Sequence, residues 1–167
     1  MNRLTSPRLT LLPIQTDDRN IIVALNTNPD VMSFVSAPMT DIQANRTADI
    51  IFKQTATTPP KMYCWKILES VSGQTIGIIA LTRMKADYPS MLEIGALSFP
   101  AFYGKGFIPE AMNTVCEFGL KLSEITGIYA KFQQDHQASY SITRKTGFSL
   151  PKQCKTSTEY LECFRTT

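Results

Sequence analysis

Several short stretches of the chain alternate hydrophobic with polar residues or are largely apolar, which is the pattern of β-strands. These stretches lie at 8–14, 61–69, 75–84, 91–99, 127–133 and 159–167. Between the second and third stretch the sequence SVSGQ places Gly73 in a turn, so we predict that these two strands form a hairpin. The middle of the chain is therefore predicted to be rich in β-structure.

Helices are predicted at 16–27, 41–55, 109–124 and 138–147. In the first and third of them, apolar residues recur every three or four positions, as in an amphipathic helix. We expect Thr16 or Asp17 to cap the first helix and Gly147 to close the last. The third helix should start near Ile108–Pro109, because proline is favoured at the first helical position.

The predicted order of elements is βααβββαβαββ, which counts one more strand near the C-terminus than the six stretches above, and there is no internal repeat, low-complexity tract or linker. This order predicts an α/β (α+β) fold: a central mixed, mostly antiparallel sheet of about seven strands with about four helices on its two faces. At 167 residues the chain is expected to form a single domain that spans 1–167.

Composition and charge exclude several classes of protein. Hydrophobic residues make up 43% and charged residues 19%, so disorder is not expected. A net charge of +3 from scattered residues is too weak to indicate a nucleic-acid partner. No stretch is apolar enough to span a membrane, and the N-terminus lacks the apolar core of a signal peptide. We therefore expect a cytoplasmic protein without a membrane partner.

The cysteines indicate neither a disulfide framework nor a metal site, because they are widely spaced and the chain has only one histidine. We expect all four, Cys64, Cys116, Cys154 and Cys163, to be reduced. Cys64 and Cys116 are expected in the core.

The most informative stretch is AFYGKGFIPEAM, residues 101–112, in which Gly104 and Gly106 precede the third predicted helix. A helix N-terminus carries unpaired N–H groups and a partial positive charge, and glycines let the backbone approach an anion closely. These residues alone are equally compatible with a phosphate site and with a plain glycine loop. The stretch does not match a P-loop, and Pro109 stands where a dinucleotide-binding fingerprint needs its third glycine.

Three motifs, in order along nearly the whole chain, resemble the GNAT superfamily of N-acetyltransferases. LEIGALSFPAFYGKGFIPEAM resembles the acetyl-CoA-binding core of that family, whose signature is [QR]-x-x-G-x-[GA]. ASYSITRKTGF resembles a second signature, N-x-x-S followed by Gly-Phe, with Ser139 and Gly147–Phe148 at the family's spacing. TSPRLTLLPI resembles the start of the RimJ/RimL-like branch, which contains ribosomal-protein N-terminal acetyltransferases.

The chain departs from these motifs at three positions. Ala101 stands where the first signature has Gln or Arg, His136 where the second has Asn, and Leu12 where the opening motif has Arg. Backbone amides do most of the pyrophosphate binding in the family, so the missing side chain at Ala101 need not abolish binding. His136 could hydrogen-bond the cofactor arm, act as a base, or be an ordinary loop residue.

The resemblance implies direct transfer of an acetyl group from acetyl-CoA to a primary amine, on strands that splay at the cofactor site, without a metal. The backbone near Leu97, Ser98 and Phe99 would hold the pantetheine arm. The pyrophosphate would lie on the amides of Tyr103, Gly104, Lys105, Gly106, Phe107 and Ile108. His136 and Ser139 would also contact the cofactor. Lys145 or Arg144 could reach the 3′-phosphate, or belong to a solvated face.

The resemblance also suggests catalytic residues. Ser139 matches the family serine that assists the departing thiolate, whereas the general base stays open between Glu93, Glu159 and His136. An α-amine of pKa about 7.8 is about 10–15% neutral at pH 7, but a lysine near 10.4 is under about 0.1% neutral. A site without an obvious strong base therefore favours an α-amine, such as a peptide N-terminus, or another small amine of low pKa.

A different class of function is also open: a GNAT-like domain that binds acyl-CoA without catalysis, as a sensor or scaffold. Ala101 and His136 are the residues that favour this alternative. The protein is expected to be a monomer or a homodimer.

Overall fold

The computed structural model describes residues 2–33, 35–83, 88–149 and 160–166. Its strands are β1 (Leu4–Thr5), β2 (Leu9–Pro13), β3 (Met62–Glu69), β4 (Thr75–Arg83), β5 (Met91–Ser98), β6 (Gly127–Gln133) and β7 (Tyr160–Thr166). Its α-helices are α1 (Arg19–Thr27), α2 (Pro29–Met32), α3 (Asp41–Thr55), α4 (Phe107–Gly119) and α5 (Gln137–Lys145). Short 3-10 helices lie at Thr16–Asp18 and Pro100–Phe102. The predicted α/β class is confirmed.

The strands form one seven-stranded sheet in chain order from β1 to β7. Every neighbouring pair is antiparallel except β5 and β6, which are parallel. The predicted mixed, mostly antiparallel sheet is therefore confirmed. A parallel pair needs a crossover connection, and α4 provides it. As a result, the carboxyl ends of β5 and β6 lie at the same edge of the sheet, beside the loop that leads into α4.

Helices pack on both faces of the sheet, as predicted. One core cluster joins buried residues of α4 to one face of the sheet, and Trp65 and Leu92 belong to it. A second cluster joins α1 and α3 to the opposite face and includes Ile22 and Cys64. Successive side chains of a strand point to opposite faces, which is why the neighbours Cys64 and Trp65 belong to different clusters.

Helix α3 has the bounds that the sequence predicts, and its first turn is closed by a capping box. The side chain of Thr40 accepts a hydrogen bond from the Gln43 amide at 3.3 Å. In return, the Gln43 side chain accepts one from the Thr40 amide at 2.8 Å. These two bonds satisfy N–H groups that the helix itself leaves unpaired.

The predicted start of the first helix was wrong. Thr16 and Asp17 lie in a 3-10 turn, and α1 begins only after Asp18. The Asp18 carboxylate accepts a hydrogen bond from the Gln15 amide at 2.9 Å and pairs with Lys66 at 2.6 Å. This ion pair with β3 holds the tight turn against the sheet, and the sequence pattern did not indicate it.

The predicted bounds of the third helix were also wrong. Helix α4 begins at Phe107, with Gly106 as its N-cap, so Pro109 is its third residue rather than its first. Proline is still compatible with that position, because the first N–H groups of a helix have no intrahelical partner. The helix ends at Gly119, where a Cβ atom would lie only 2.8 Å from the Leu81 side chain. A larger residue there would require the side chains of Leu81 and Ile128 to move.

The observed order of elements differs from the predicted order at three places. A short strand, β1, precedes the first predicted strand, and the short helix α2 follows α1. Near the C-terminus, Ser149 makes only an isolated bridge to Phe164, a residue of β7. The short elements have too few residues for a periodic pattern to reveal them.

Candidate active site

Strands β5 and β6 separate at the carboxyl edge of the sheet. Their pairing runs from Met91 opposite Gly127 to Ile94 opposite Ala130. Beyond that point, Gly95–Ser98 continue to pair with β4 but not with β6. The splay leaves backbone N–H and C=O groups of β5 without a neighbouring strand, and such an edge can hydrogen-bond an extended ligand.

The glycine loop after β5 has the conformation that an anion site requires. Gly104 and Gly106 have φ values of +74° and +76°, in the left-handed region that favours glycine. Within the described residues, no backbone carbonyl accepts a hydrogen bond from the amides of residues 104–108. These amides lie at the N-terminus of α4, which carries a partial positive charge. The loop can therefore bind a phosphate group through its backbone.

Most other residues predicted at the cofactor site have side chains in the core. Leu97 and Phe99 pack against the cluster under α1 and α3, whereas Phe107 and Ile108 pack against the cluster under α4. Ser98 is also buried. Because these side chains are occupied, a ligand could reach only backbone groups, and those of Phe99 are already bonded: its amide donates to Ile76 at 2.9 Å and its carbonyl accepts from Phe102 at 3.0 Å.

The exposed residues of the predicted site lie on the loop and on α5. Tyr103 and Lys105 are exposed beside the glycines. Arg144 and Lys145 are exposed in the last turn of α5, and neither forms an ion pair with a described residue. Binding of the 3′-phosphate by Lys145 or Arg144 stays a prediction.

The structure brings together two of the predicted catalytic residues, His136 and Ser139. His136 occupies the N-cap position of α5, and its Nδ1 lies 2.9 Å from Ser139 Oγ. Burial lowers the pKa of His136, and the nearby Asp135 opposes this only in part. The imidazole is therefore neutral at neutral pH, so Nδ1 can accept the hydroxyl proton or donate to the hydroxyl oxygen, depending on the tautomer.

The lowered pKa of His136 predicts pH-dependent stability. Folding disfavours the charged imidazole, so the unfolded chain binds more protons as the pH falls through about 6.5. Between about pH 7.5 and about pH 5.5, the wild type should lose stability relative to a His136→Asn variant, which has no titrating group there. Melting temperatures of both proteins at the two pH values check this expectation. If the melting temperatures of the two proteins differ by the same amount at both pH values, the expectation is contradicted.

Glu93, a predicted general base, is held by a tyrosine of the neighbouring strand. It lies opposite Tyr129 in the β5–β6 pairing, and Tyr129 Oη donates a hydrogen bond to Glu93 Oε2 at 2.9 Å. Burial and then this hydrogen bond raise the pKa of Tyr129, so the phenol stays protonated and remains a donor. Glu93 is half-buried, and its Oε1 has no hydrogen-bond partner among the described residues. That oxygen is free to accept a proton.

Further aromatic and acidic side chains surround this pair. Tyr88 Oη donates to Glu162 Oε2 at 3.1 Å. The Tyr88 ring lies 5.2 Å from that of Tyr129 and 5.4 Å from that of Phe164. We call Tyr88, Glu93, Tyr129, Glu162 and Phe164 the aromatic–acidic patch. These residues come from the segment before β5 and from three strands, and no sequence pattern indicated that Tyr88, Tyr129 or Glu162 belongs to a site.

Three further predictions concern the cysteines, a metal site and membrane-spanning helices. Cys64, Cys116 and Cys163 are buried and form no disulfide with a described residue, whereas Cys154 and the candidate base Glu159 lie outside the described residues. Across the described ranges, no group of three or more His, Cys, Asp or Glu side chains could hold a metal ion. Among the helices of the described chain, none is long and apolar enough to cross a membrane.

Known proteins share this architecture. A model of the acetyltransferase (GNAT) domain matches residues 8–149. An acetyltransferase structure from Agrobacterium tumefaciens has a TM-score of 0.83 at 17% identity, and the alignment covers 100% of this chain and 95% of that one. Spermidine N-acetyltransferase from Vibrio cholerae, in complex with CoA and spermine, has a TM-score of 0.78 at 15% identity, with 96% of each chain covered.

A third similar structure is an acetyltransferase from Salmonella typhimurium that modifies the N-terminal serine of a 50S ribosomal subunit protein. It has a TM-score of 0.81 at 12% identity, with 99% of each chain covered. Identities this low show a common fold. The domain match extends over most of the chain and includes the glycine loop, the splayed strands and the His136–Ser139 pair. The chain therefore belongs to the GNAT family of acetyltransferases.

Proposed function

We propose that the protein transfers an acetyl group directly from acetyl-CoA to a primary amine, and that a protein N-terminal α-amine is the favoured acceptor. The observation that carries this proposal is the glycine loop. Its free amides at 104–108 lie at the N-terminus of α4, beside the splay of β5 and β6. A pyrophosphate and an extended amide-containing arm are the two chemical groups that such a site binds best.

The donor would be bound mainly through backbone groups. The pantetheine arm would lie along the unpaired edge of Gly95–Ser98, and the pyrophosphate would accept hydrogen bonds from the loop amides. Lys145, which is exposed at the end of α5, would bind the 3′-phosphate. This assignment is consistent with Ala101, because the loop needs no side chain there to present its amides.

Ser139 would protonate or hydrogen-bond the departing CoA thiolate. Its Oγ lies 2.9 Å from His136 Nδ1, and a neutral imidazole can fix the direction of the hydroxyl and supply a proton path. His136 therefore takes a positioning role in this proposal, in place of the asparagine of the family motif. The donated proton leaves with the thiol, and the hydroxyl recovers a proton from solvent through the imidazole.

Glu93 would remove the proton of the acceptor amine. It lies on β5 before the splay, and its orientation is fixed by Tyr129 while its second oxygen stays free. The amine must be neutral to attack the thioester carbonyl, and the lost proton would pass to Glu93 directly or through water. Glu159 is a second candidate base that the described residues leave untested.

The aromatic–acidic patch would attract the acceptor amine. A carboxylate attracts the ammonium form of an amine, and tyrosine rings favour cations through their π faces. An α-amine of low pKa then loses its proton at small cost, which suits a single half-buried carboxylate as base. The second carboxylate, Glu162, also favours a second candidate class, small polyamines, which carry more than one positive charge.

A Gly106→Val variant tests the proposed donor site. Valine at a φ of +76° is strained, and its Cβ would also meet the Arg8 side chain at 3.4 Å. The loop should change conformation, and the affinity for acetyl-CoA should fall at least about tenfold. Calorimetric titration with acetyl-CoA measures this loss, and circular dichroism shows whether the fold is retained.

Gly73→Val is the matched control. Gly73 has a φ of +71° in the β3–β4 hairpin, and nothing lies within 4 Å of its missing Cβ. The control therefore carries a similar backbone strain away from the loop, and its affinity should match that of the wild type. Wild-type protein should also be stabilised more by acetyl-CoA than by ATP or NAD at equal concentration. Equal stabilisation by all three, or equal affinity of both glycine variants, would contradict the proposed donor site.

A further inference from the structure

Arg8 makes an unusual set of contacts to the glycine loop. Its Nη1 donates to the carbonyl oxygen of Lys105 at 3.0 Å, and its Nη2 donates to that of Gly106 at 3.2 Å. The guanidinium carbon also lies 4.7 Å from the centre of the Phe107 ring. One side chain from the start of the chain thus contacts three consecutive residues of the loop.

Glu110, in the first turn of α4, fixes the other side of Arg8. Its Oε2 accepts from Arg8 Nε at 2.7 Å, and its Oε1 accepts from the Arg8 amide at 2.8 Å and from Ser6 Oγ at 2.7 Å. Burial alone would raise the pKa of Glu110, but the hydrogen bonds from Ser6 and Arg8 and the guanidinium charge outweigh burial and lower it. Glu110 is therefore charged at neutral pH and holds Arg8 against the loop.

These contacts determine where the loop amides point. In a trans peptide, the C=O and N–H groups point in opposite directions. The Lys105 carbonyl points at Arg8, so the Gly106 amide of the same peptide points away from Arg8. The Gly106 carbonyl points at Arg8 and also accepts a hydrogen bond from the Glu110 amide at 3.4 Å, so the Phe107 amide points away from Arg8 and is held by both contacts. Arg8 thereby orients two of the free amides at the N-terminus of α4.

We propose that Arg8, held by Glu110, is a positioning residue that presents the amides of Gly106 and Phe107 to the pyrophosphate of the donor. This inference rests on the proposed function of the loop. Because Gly106 has no side chain to restrict its backbone, the free loop has many conformations, and those with the amides turned elsewhere bind the donor poorly. Arg8 removes these conformations before the donor arrives.

Arginine is suited to this role in a way that lysine is not. Its planar guanidinium carries several donors in a fixed arrangement, so it reaches Glu110 and two carbonyls at once. A lysine has one ammonium group on a flexible chain and cannot hold all three acceptors in place. Arg8→Lys therefore keeps the positive charge near the donor but loses the orientation of the two peptides.

The test is calorimetric titration of CoA and of 3′-dephospho-CoA into wild type, Arg8→Ala, Arg8→Lys and Arg3→Ala. Arg8→Ala should lower the affinity for both ligands about tenfold, by the same factor, because both contain the pyrophosphate. Arg8→Lys should recover less than half of this loss on a logarithmic scale. Arg3→Ala removes a positive charge from the same end of the chain that, among the described residues, hydrogen-bonds Thr10 and not the loop, and its affinities should equal those of the wild type.

Steady-state kinetics adds a readout that general destabilisation would not produce. The KM for acetyl-CoA should rise in both Arg8 variants while kcat stays within about twofold, because the pyrophosphate is far from the reacting carbonyl. A wild type that binds no CoA overturns the proposed function and this inference together. A wild type that binds CoA, beside Arg8 variants of unchanged affinity, overturns the inference alone. Arg8 variants that bind CoA more weakly but bind 3′-dephospho-CoA as the wild type does would also overturn the inference, because Arg8 would then contact the 3′-phosphate directly.

Discussion

Replacing Ser139 with alanine is expected to lower kcat and kcat/KM together by about 100-fold, while the affinity for acetyl-CoA changes less than about twofold. A hydroxyl that assists the departing thiolate acts mainly in the transition state, so its loss affects the rate more than binding. We expect the low end of the range for general acids, because the CoA thiolate is already a good leaving group. Steady-state kinetics and a calorimetric acetyl-CoA titration on the same variant measure both quantities.

Ser141→Ala is the matched control, because Ser141 lies in the same helix and is exposed. It should keep full activity. Ser139 is not at the N-cap of α5, which is His136, so a simple capping role does not account for its position. Full activity of Ser139→Ala with a lowered melting temperature would nevertheless assign the His136–Ser139 pair to stability and leave the acid unidentified.

Replacing Glu93 with glutamine is expected to lower kcat/KM by about 100-fold or more near neutral pH. Glutamine keeps the shape of the side chain and can still accept the hydrogen bond from Tyr129, but it cannot take a proton. The loss should shrink as the pH approaches the pKa of the acceptor amine, because solvent then supplies the neutral amine. The pH profile of kcat/KM for wild type and variant, measured with one peptide acceptor, reports this change.

A Glu162→Gln variant distinguishes a carboxylate that removes the proton of the amine from one that only attracts its positive charge. Glu162 belongs to the same patch and is also hydrogen-bonded by a tyrosine, Tyr88. It should mainly raise the KM for the acceptor, with little change in kcat. If both glutamine variants lose the same kcat, or if Glu93→Gln retains wild-type kinetics, Glu93 is not the base.

The sequence was most informative about features that depend on residues close together in the chain. Helix α3 was predicted with its observed bounds, and the capping box of Thr40 and Gln43 at its start spans only one helical turn. The glycine loop was also visible, because Gly104 and Gly106 adopt the left-handed conformation that glycines permit. Strands such as β6 were predicted with their observed bounds, since alternation and turn residues are both short-range signals.

The sequence was least informative where contacts join distant parts of the chain. Arg8 and Glu110 are separated by more than a hundred residues, and nothing in the local pattern connects them. Glu93 and Tyr129 meet only because the parallel register places them side by side. The close packing of Gly119 against Leu81 of β4 likewise joins distant parts of the chain. Such partners depend on topology and register, which propensities and periodicity do not determine.

The most direct test of the account is acetyl transfer itself. Purified protein would be incubated with acetyl-CoA labelled in the acetyl group and with a panel of acceptors: peptides with free N-termini, polyamines and other small amines. We expect the mass of an acceptor to increase by one labelled acetyl group, and we expect one mole of free CoA thiol for each mole of acetylated acceptor. We expect the highest kcat/KM for a peptide N-terminus, and we expect both signals to form about 100-fold more slowly in Ser139→Ala. Tight binding of acetyl-CoA without transfer to any acceptor in the panel would contradict the account and support a non-catalytic acyl-CoA sensor.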